Sequence, residues 1–134
     1  MTEIMNRSHA LREDGTTHFN CAQAVFIPFA ERYGLNATQA QAITANFGSG
    51  MRAGLTCGAI TGGLMALGLY GVGDATASSE FMRRMKELHG GRSDCRDLLR
   101  EEVHSPEEKK PHCDGMVYEA VEIVEEMLGA RGLL

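Results

Sequence analysis

The chain has 134 residues, of which 43% are hydrophobic and 23% charged. This composition is typical of a single globular domain and excludes a disordered or fibrous chain. A net charge of -5 has the wrong sign for neutralising phosphates, so we expect no nucleic-acid partner. The first residues contain no apolar run of the kind that a signal peptide needs, and we therefore expect a cytoplasmic protein.

Hydrophobic periodicity and capping residues predict helices along most of the chain. Asn20 is a good N-cap for the second helix, and Gly34 ends it. Pro106 and Pro111 bracket a charged segment that we predict as a loop. The predicted helices cover about residues 2–12, 20–33, 36–45, 56–70, 76–89 and 94–103, followed by a last helix that has Cys113 in its first turn and runs to about residue 128.

No segment alternates apolar and polar residues with a period of two, so no β-sheet is predicted. The uncharged stretch between Arg52 and Asp74 is long enough to cross a bilayer, but its seven glycines keep its hydrophobicity low. We expect a buried central helix there and no membrane segment. The prediction is an all-α single domain over residues 1–134, a bundle of about six or seven helices.

Four cysteines, Cys21, Cys57, Cys95 and Cys113, are separated by 36, 38 and 18 residues. No pair has the CxxC spacing of zinc ribbons or thioredoxins, so the spacing alone indicates little. Each cysteine falls at a predicted helix start, where free N–H groups and the helix dipole favour a thiolate. The alternative is four small buried apolar residues. We favour a thiolate site, because four buried apolar cysteines would rarely all fall at helix starts by chance.

The segment GLTCGAITG around Cys57 contains the pattern CGAxxG. NCAQA precedes it at residues 20–24, and CRDLL follows at residues 95–99, before Cys113. In this ordered combination the chain resembles the C_GCAxxG_C_C proteins, a family described as redox-active. The resemblance covers about residues 20–128.

The resemblance implies that the four cysteines are the redox or metal-ligating residues. It also implies that Gly58, Ala59 and Gly62 are motif positions, which we take as candidate cofactor-binding residues. Glycines spaced by four residues let another backbone, or a bound cofactor, come close.

Three functions fit these cysteines. The favoured one is electron transfer through an iron–sulfur cluster ligated by all four thiolates. The second is metal-free thiol/disulfide chemistry, for which we expect a reversible disulfide involving Cys57. The third is a structural zinc site in a binding module. The sequence names no redox partner and is compatible with a homo-oligomer.

Four other residues lie near the last two cysteines. His89, His104 and His112 are candidate ligands, proton carriers or hydrogen-bond partners, and the alternative is that they are simply solvated. Arg96 is a candidate cation that stabilises a thiolate at the neighbouring Cys95, although it also fits an exposed helical position.

Overall fold

The computed structural model describes residues 1–134 and contains seven α-helices and no β-strand, which confirms the all-α prediction. None of the helices combines the length and apolar character that crossing a membrane requires. The helices are α1 (Glu3–Glu13), α2 (Cys21–Tyr33), α3 (Ala37–Thr44), α4 (Gly58–Leu69), α5 (Ala75–Glu87), α6 (Cys95–Glu102) and α7 (Pro106–Ala130).

Helix α2 lies at the centre of the bundle and packs against α1, α3, α4 and α7. Its start is fixed by a capping box, in which the N–H of Gln23 donates to the Asn20 side chain at 2.8 Å and the N–H of Asn20 donates to the Gln23 side chain at 2.9 Å. Residues 22–30 of the helix are all buried. This capped, buried helix holds Cys21, its first residue, in a fixed position.

Helix α4 packs against α2 through glycine. A Cβ added to Gly62 would lie 2.7 Å from the carbonyl oxygen of Ala22, and one added to Gly58 would lie 2.8 Å from that of Phe47. Both distances are too short for any side chain. The space that these two glycines leave open is therefore occupied by the backbone at Ala22 and at Phe47.

The connection between α3 and α4 contains a short left-handed segment. A 3-10 turn at Ala45–Phe47 leads into it, and Ser49, Met51 and Arg52 have φ angles of 53°, 59° and 56°. Left-handed backbone costs a residue with a side chain about 1–2 kcal/mol. The surrounding packing must hold this segment in place. The left-handed segment in turn leads to Cys57.

The last helix begins earlier than the sequence predicts. The charged segment between the two prolines is helical, with Pro106 at the first position, where its missing N–H costs nothing, and Pro111 inside the helix. Cys113 is consequently the eighth residue of α7 and not part of its first turn. The prediction of four helix starts is wrong for this cysteine.

Candidate functional site

All four cysteines line one small cavity of about 50 Å³, which we call the inner cavity. Cys21 and Cys95 are the first residues of α2 and α6, Cys57 is the N-cap of α4, and Cys113 lies in α7. All four are free thiols; Cys57 is buried and the other three are partly buried. Residues far apart in the sequence therefore come together in one place.

The backbone joins the Cys57 and Cys95 segments directly. The N–H of Cys57 donates to the carbonyl of Ser93 at 2.9 Å, and the N–H of Cys95 donates to the carbonyl of Leu55 at 2.6 Å. Thr56 also forms an isolated antiparallel β-bridge with Asp94, the residue before Cys95. These bonds hold two of the four cysteines side by side at the inner cavity.

Burial dominates the ionisation of these two thiols. It raises the pKa of Cys57 to about 11, although the N–H groups of Ala59 and Ile60 act against it. Burial also raises the pKa of Cys95. The expectation that a helix start makes each cysteine a thiolate is therefore wrong at these positions, because desolvation outweighs the stabilisation by the helix start.

Cys21 and Cys113 behave as a pair. The interaction with the neighbouring Cys21 thiol lowers the pKa of Cys113 to about 7, and the same interaction, together with burial, raises the pKa of Cys21 well above its usual value. Cys113 is thus the one cysteine of the four with a lowered pKa, although it does not lie at a helix start.

Two cations stabilise the Cys113 thiolate, and neither stands out in the sequence. Arg12 and Lys109 both lower the pKa of Cys113, after the larger effects of Cys21 and burial. The Arg12 guanidinium is almost buried and donates to Asp114 at 2.6 Å and to the carbonyl of Phe19 at 2.8 Å. Only the tertiary fold brings Arg12 to this site, so no local pattern in the sequence could have indicated it.

Arg96 does not have the role that its position beside Cys95 indicates. Its side chain is exposed on α6, and the cation that lowers the pKa of Cys95 against the effect of burial is Lys109. The cation that lowers the pKa of the Cys95 thiol is therefore Lys109 and not the adjacent Arg96.

Two of the three histidines belong to a network beside the inner cavity. The His89 ring contacts Glu102 at 2.7 Å and Glu119 at 2.6 Å, and His112, which lines the cavity, lies 3.6 Å from Glu102. The hydrogen bonds to Glu119 and Glu102 raise the pKa of His89. His104 is exposed and outside this network.

The glycine motif contributes mainly to packing. Gly58 lines the inner cavity, whereas the buried Ala59 and Gly62 do not. Gly62 faces the backbone of α2, and Ala59 offers its N–H to Cys57. Of the three candidate cofactor-binding positions, one is placed where it would touch a group bound at the cysteines.

A second, larger cleft of about 550 Å³ adjoins the cysteine pair, and we call it the outer cleft. It is formed by the segment between α1 and α2 and by the first turns of α7. Cys21 and Cys113 line both the inner cavity and the outer cleft, whereas Cys57 and Cys95 line only the inner cavity. The pair is therefore the part of the site that borders the outer cleft.

The donor set suits metal ligation in its chemistry, since four thiols are the usual ligands of iron–sulfur clusters and also satisfy zinc. As the side chains lie, no three Cys, His, Asp or Glu residues are gathered around a point that could hold a single ion. Ligation would therefore require the side chains around the inner cavity to rearrange.

The fold and the site together define a helical protein with four cysteines from four separate segments around one cavity. The chain belongs to the C_GCAxxG_C_C family, whose model, described as "Putative redox-active protein (C_GCAxxG_C_C)", matches residues 19–127. Comparison with curated proteins and with solved structures gave no match.

Proposed function

We propose that this protein is a thiol/disulfide redox protein in which Cys113 and Cys21 form the reacting dithiol. The observation that carries the proposal is their shared position: they are the two cysteines that line both the inner cavity and the outer cleft, and the interaction with Cys21 lowers the pKa of Cys113 to about 7. A thiol attacks disulfides best when its pKa is close to the ambient pH. Cys113 is the nucleophile, and Cys21 is the resolving thiol.

The exchange proceeds in two steps. The Cys113 thiolate attacks one sulfur of a substrate disulfide; the substrate S–S bond breaks, a mixed disulfide forms, and one substrate thiolate leaves and takes a proton. Cys21 then loses its proton and attacks the Cys113 sulfur, which releases the second substrate thiolate. The substrate gains two electrons and two protons, and the protein ends with a Cys21–Cys113 disulfide, which an external dithiol reduces by the reverse route.

The coupling between the two thiols gives these steps their order. While Cys113 is a thiolate, its interaction with Cys21 keeps the proton on Cys21. Once Cys113 is part of a mixed disulfide, its negative charge is gone, and the pKa of Cys21 falls. The resolving thiol therefore becomes reactive only after the nucleophile has reacted.

Trapping of the mixed disulfide tests this assignment. In Cys21→Ser the second step is blocked, so incubation of the reduced protein with a small disulfide should leave one substrate half on Cys113, detected by peptide mass spectrometry. Cys113→Ser should form no adduct at Cys21, and Cys95→Ser serves as the control that completes the exchange. An adduct on Cys57 or Cys95 in the Cys21 variant would contradict the proposal.

An iron–sulfur cluster is the second candidate, and one observation favours it: all four cysteines line the same cavity. They would be its ligands, and the group would supply one-electron transfer when bound. The inner cavity has a volume of only about 50 Å³, room for a few small molecules the size of water, so it would have to widen to take a cluster. A structural zinc ion would need the four thiols to draw together instead.

Elemental analysis separates these alternatives. Protein purified without oxygen should contain no stoichiometric iron, sulfide or zinc if the dithiol proposal holds, and four thiols per chain should react with an alkylating reagent after unfolding. Iron and sulfide bound together, lost in cysteine variants, would replace the proposal by the cluster. One zinc per chain would support the structural site.

A further inference from the structure

The outer cleft is a locally basic site in an acidic protein. Its cationic side chains are Arg12, Lys109 and Lys110, while Asp14 is its one carboxylate. The whole chain has a net charge of -5. The volume of about 550 Å³ lies within the usual range for small-molecule sites. The cleft therefore differs in charge from the rest of the surface.

The charges of the cleft are not equally available to a ligand. Arg12 and Lys110 already contact Asp114, at 2.6 and 2.9 Å, and Asp14 accepts N–H groups from the turn that follows it. Lys109 is exposed and makes no salt bridge. It lines both the outer cleft and the inner cavity. Lys109 is the cation that remains free to bind an anion beside the two sulfurs.

Two helix starts add to this positive potential. Helices α2 and α7 begin at Cys21 and Pro106, both of which line the outer cleft. Helix starts carry partial positive charge. The acidic side chains in the first turn of α7, Glu107 and Glu108, are exposed and not part of the lining, and Glu108 points back to Ser105 at 3.3 Å.

We propose that the outer cleft selects small disulfides that carry carboxylate groups, and that Lys109 is the residue that determines this specificity. The inference rests on the proposed thiol/disulfide function. A carboxylate bound by Lys109 places the neighbouring disulfide of the same molecule against Cys113, whereas a cationic disulfide meets like charge there. These disulfides react by the two-step exchange described under the proposed function, with the same balance of atoms and electrons.

The test compares three disulfides of different charge on the reduced protein. Glutathione disulfide carries carboxylates, hydroxyethyl disulfide is neutral, and cystamine is cationic. Release of substrate thiol should be fastest with glutathione disulfide and slowest with cystamine, and this difference should shrink as salt is added. The ratio of the second-order rate constant for the anionic disulfide to that for the neutral disulfide is the quantity to follow, because a change in the ionisation of Cys113 cancels in it.

Lys109→Gln should lower that ratio about twofold to fivefold, the loss expected for one charged contact at an exposed site. Lys86→Gln removes the same charge from α5, outside the outer cleft, and should leave the ratio as in the wild type. A wild-type ratio near one, or a ratio that Lys109→Gln does not change, would overturn the specificity while leaving the thiol exchange standing. If none of the three disulfides reacts, the proposed function itself fails, and the inference fails with it.

Discussion

Four neighbouring residues and burial control the ionisation of Cys113. The interaction with Cys21 has the largest effect and lowers the pKa of Cys113, Arg12 and Lys109 lower it further, and burial and Asp114 act in the opposite direction, with a resulting value of about 7. Arg12 is held in place by Asp114 and so cannot move away from the thiolate. The reactivity of one thiol thus depends on residues from three helices.

Removing the Cys21 thiol should destabilise the Cys113 thiolate. In Cys21→Ala the pKa of Cys113 should rise from about 7 towards the ordinary cysteine value of 9.0, because the strongest stabilising contact is lost. The pH dependence of alkylation of Cys113, followed by mass spectrometry of its peptide, measures this shift. Alkylation at pH 7 should slow several-fold, in proportion to the loss of thiolate.

Cys95→Ala is the matched control for this experiment, since it removes a thiol from the same cavity and leaves Cys21 in place. Its alkylation midpoint should stay near that of the wild type. An unchanged midpoint in Cys21→Ala, or an equal shift in both variants, would mean that the pairing does not set the ionisation of Cys113.

At the scale of the elements, the contact between α2 and α4 positions the site. Gly62 allows the two helices to approach, and the residue that it faces, Ala22, directly follows Cys21. A methyl group at this position must push the start of α2 away. The contact therefore connects the packing of the core to the position of one reacting sulfur.

Gly62→Ala should lower the free energy of unfolding by about 1–3 kcal/mol, the usual cost of overpacking. The reason is that its Cβ would lie 2.7 Å from a backbone oxygen of α2. Gly68→Ala is the control in the same helix, because nothing lies within 4 Å of its added Cβ. It should raise the stability by up to about 1 kcal/mol through helix propensity. Denaturant-induced unfolding measures the free energy of unfolding of both variants. Equal changes in Gly62→Ala and Gly68→Ala would contradict the packing argument.

The elements that periodicity and capping predict are the ones that the structure contains, with α7 as the main exception. Pro111 signals a loop in the sequence, yet it is the sixth residue of α7, and the buried residues of this helix begin only at Met116. The left-handed segment around Met51 was not predictable, since only tertiary packing holds such residues at positive φ.

At the scale of the whole molecule, long-range polar contacts hold the cysteine-bearing segments together. His89, at the end of α5, contacts Glu102 of α6 and Glu119 of α7, while Arg12 of α1 contacts Asp114 of α7. These contacts fix the elements that carry the last two cysteines against one another. The site exists only when the bundle is assembled.

The charge on His89 makes part of the stability depend on pH. Its pKa is raised in the folded protein by Glu119 and Glu102, so its contribution is fully present below the ordinary histidine pKa of 6.5 and is lost as the pH rises through the folded value. The stability advantage of the wild type over His89→Gln should therefore be larger at pH 6 than at pH 9, measured by urea unfolding at each pH. His104→Gln, an exposed histidine outside this network, is the control variant. A constant advantage for His89 at both values would contradict this account.

The sequence could predict that the four cysteines form one site, but not what each does there. Helix placement and the family resemblance pointed to a shared thiolate site, and the cavity brings Cys21, Cys57, Cys95 and Cys113 together. The sequence does not predict which thiol ionises, because ionisation depends on burial and on contacts with residues distant in sequence. For the thiol/disulfide alternative the sequence predicts a reversible disulfide that involves Cys57, whereas we propose Cys113 as the nucleophile.

The central claim is that Cys113 and Cys21 are the redox pair, and a redox titration tests it most directly. Protein kept free of oxygen is equilibrated with graded mixtures of reduced and oxidised glutathione, alkylated, and mapped by peptide mass spectrometry. The account predicts one disulfide, Cys21–Cys113, that forms in a single two-electron transition while Cys57 and Cys95 stay reduced. Disulfides spread over all four cysteines, or a dominant pair that contains Cys57, would contradict it.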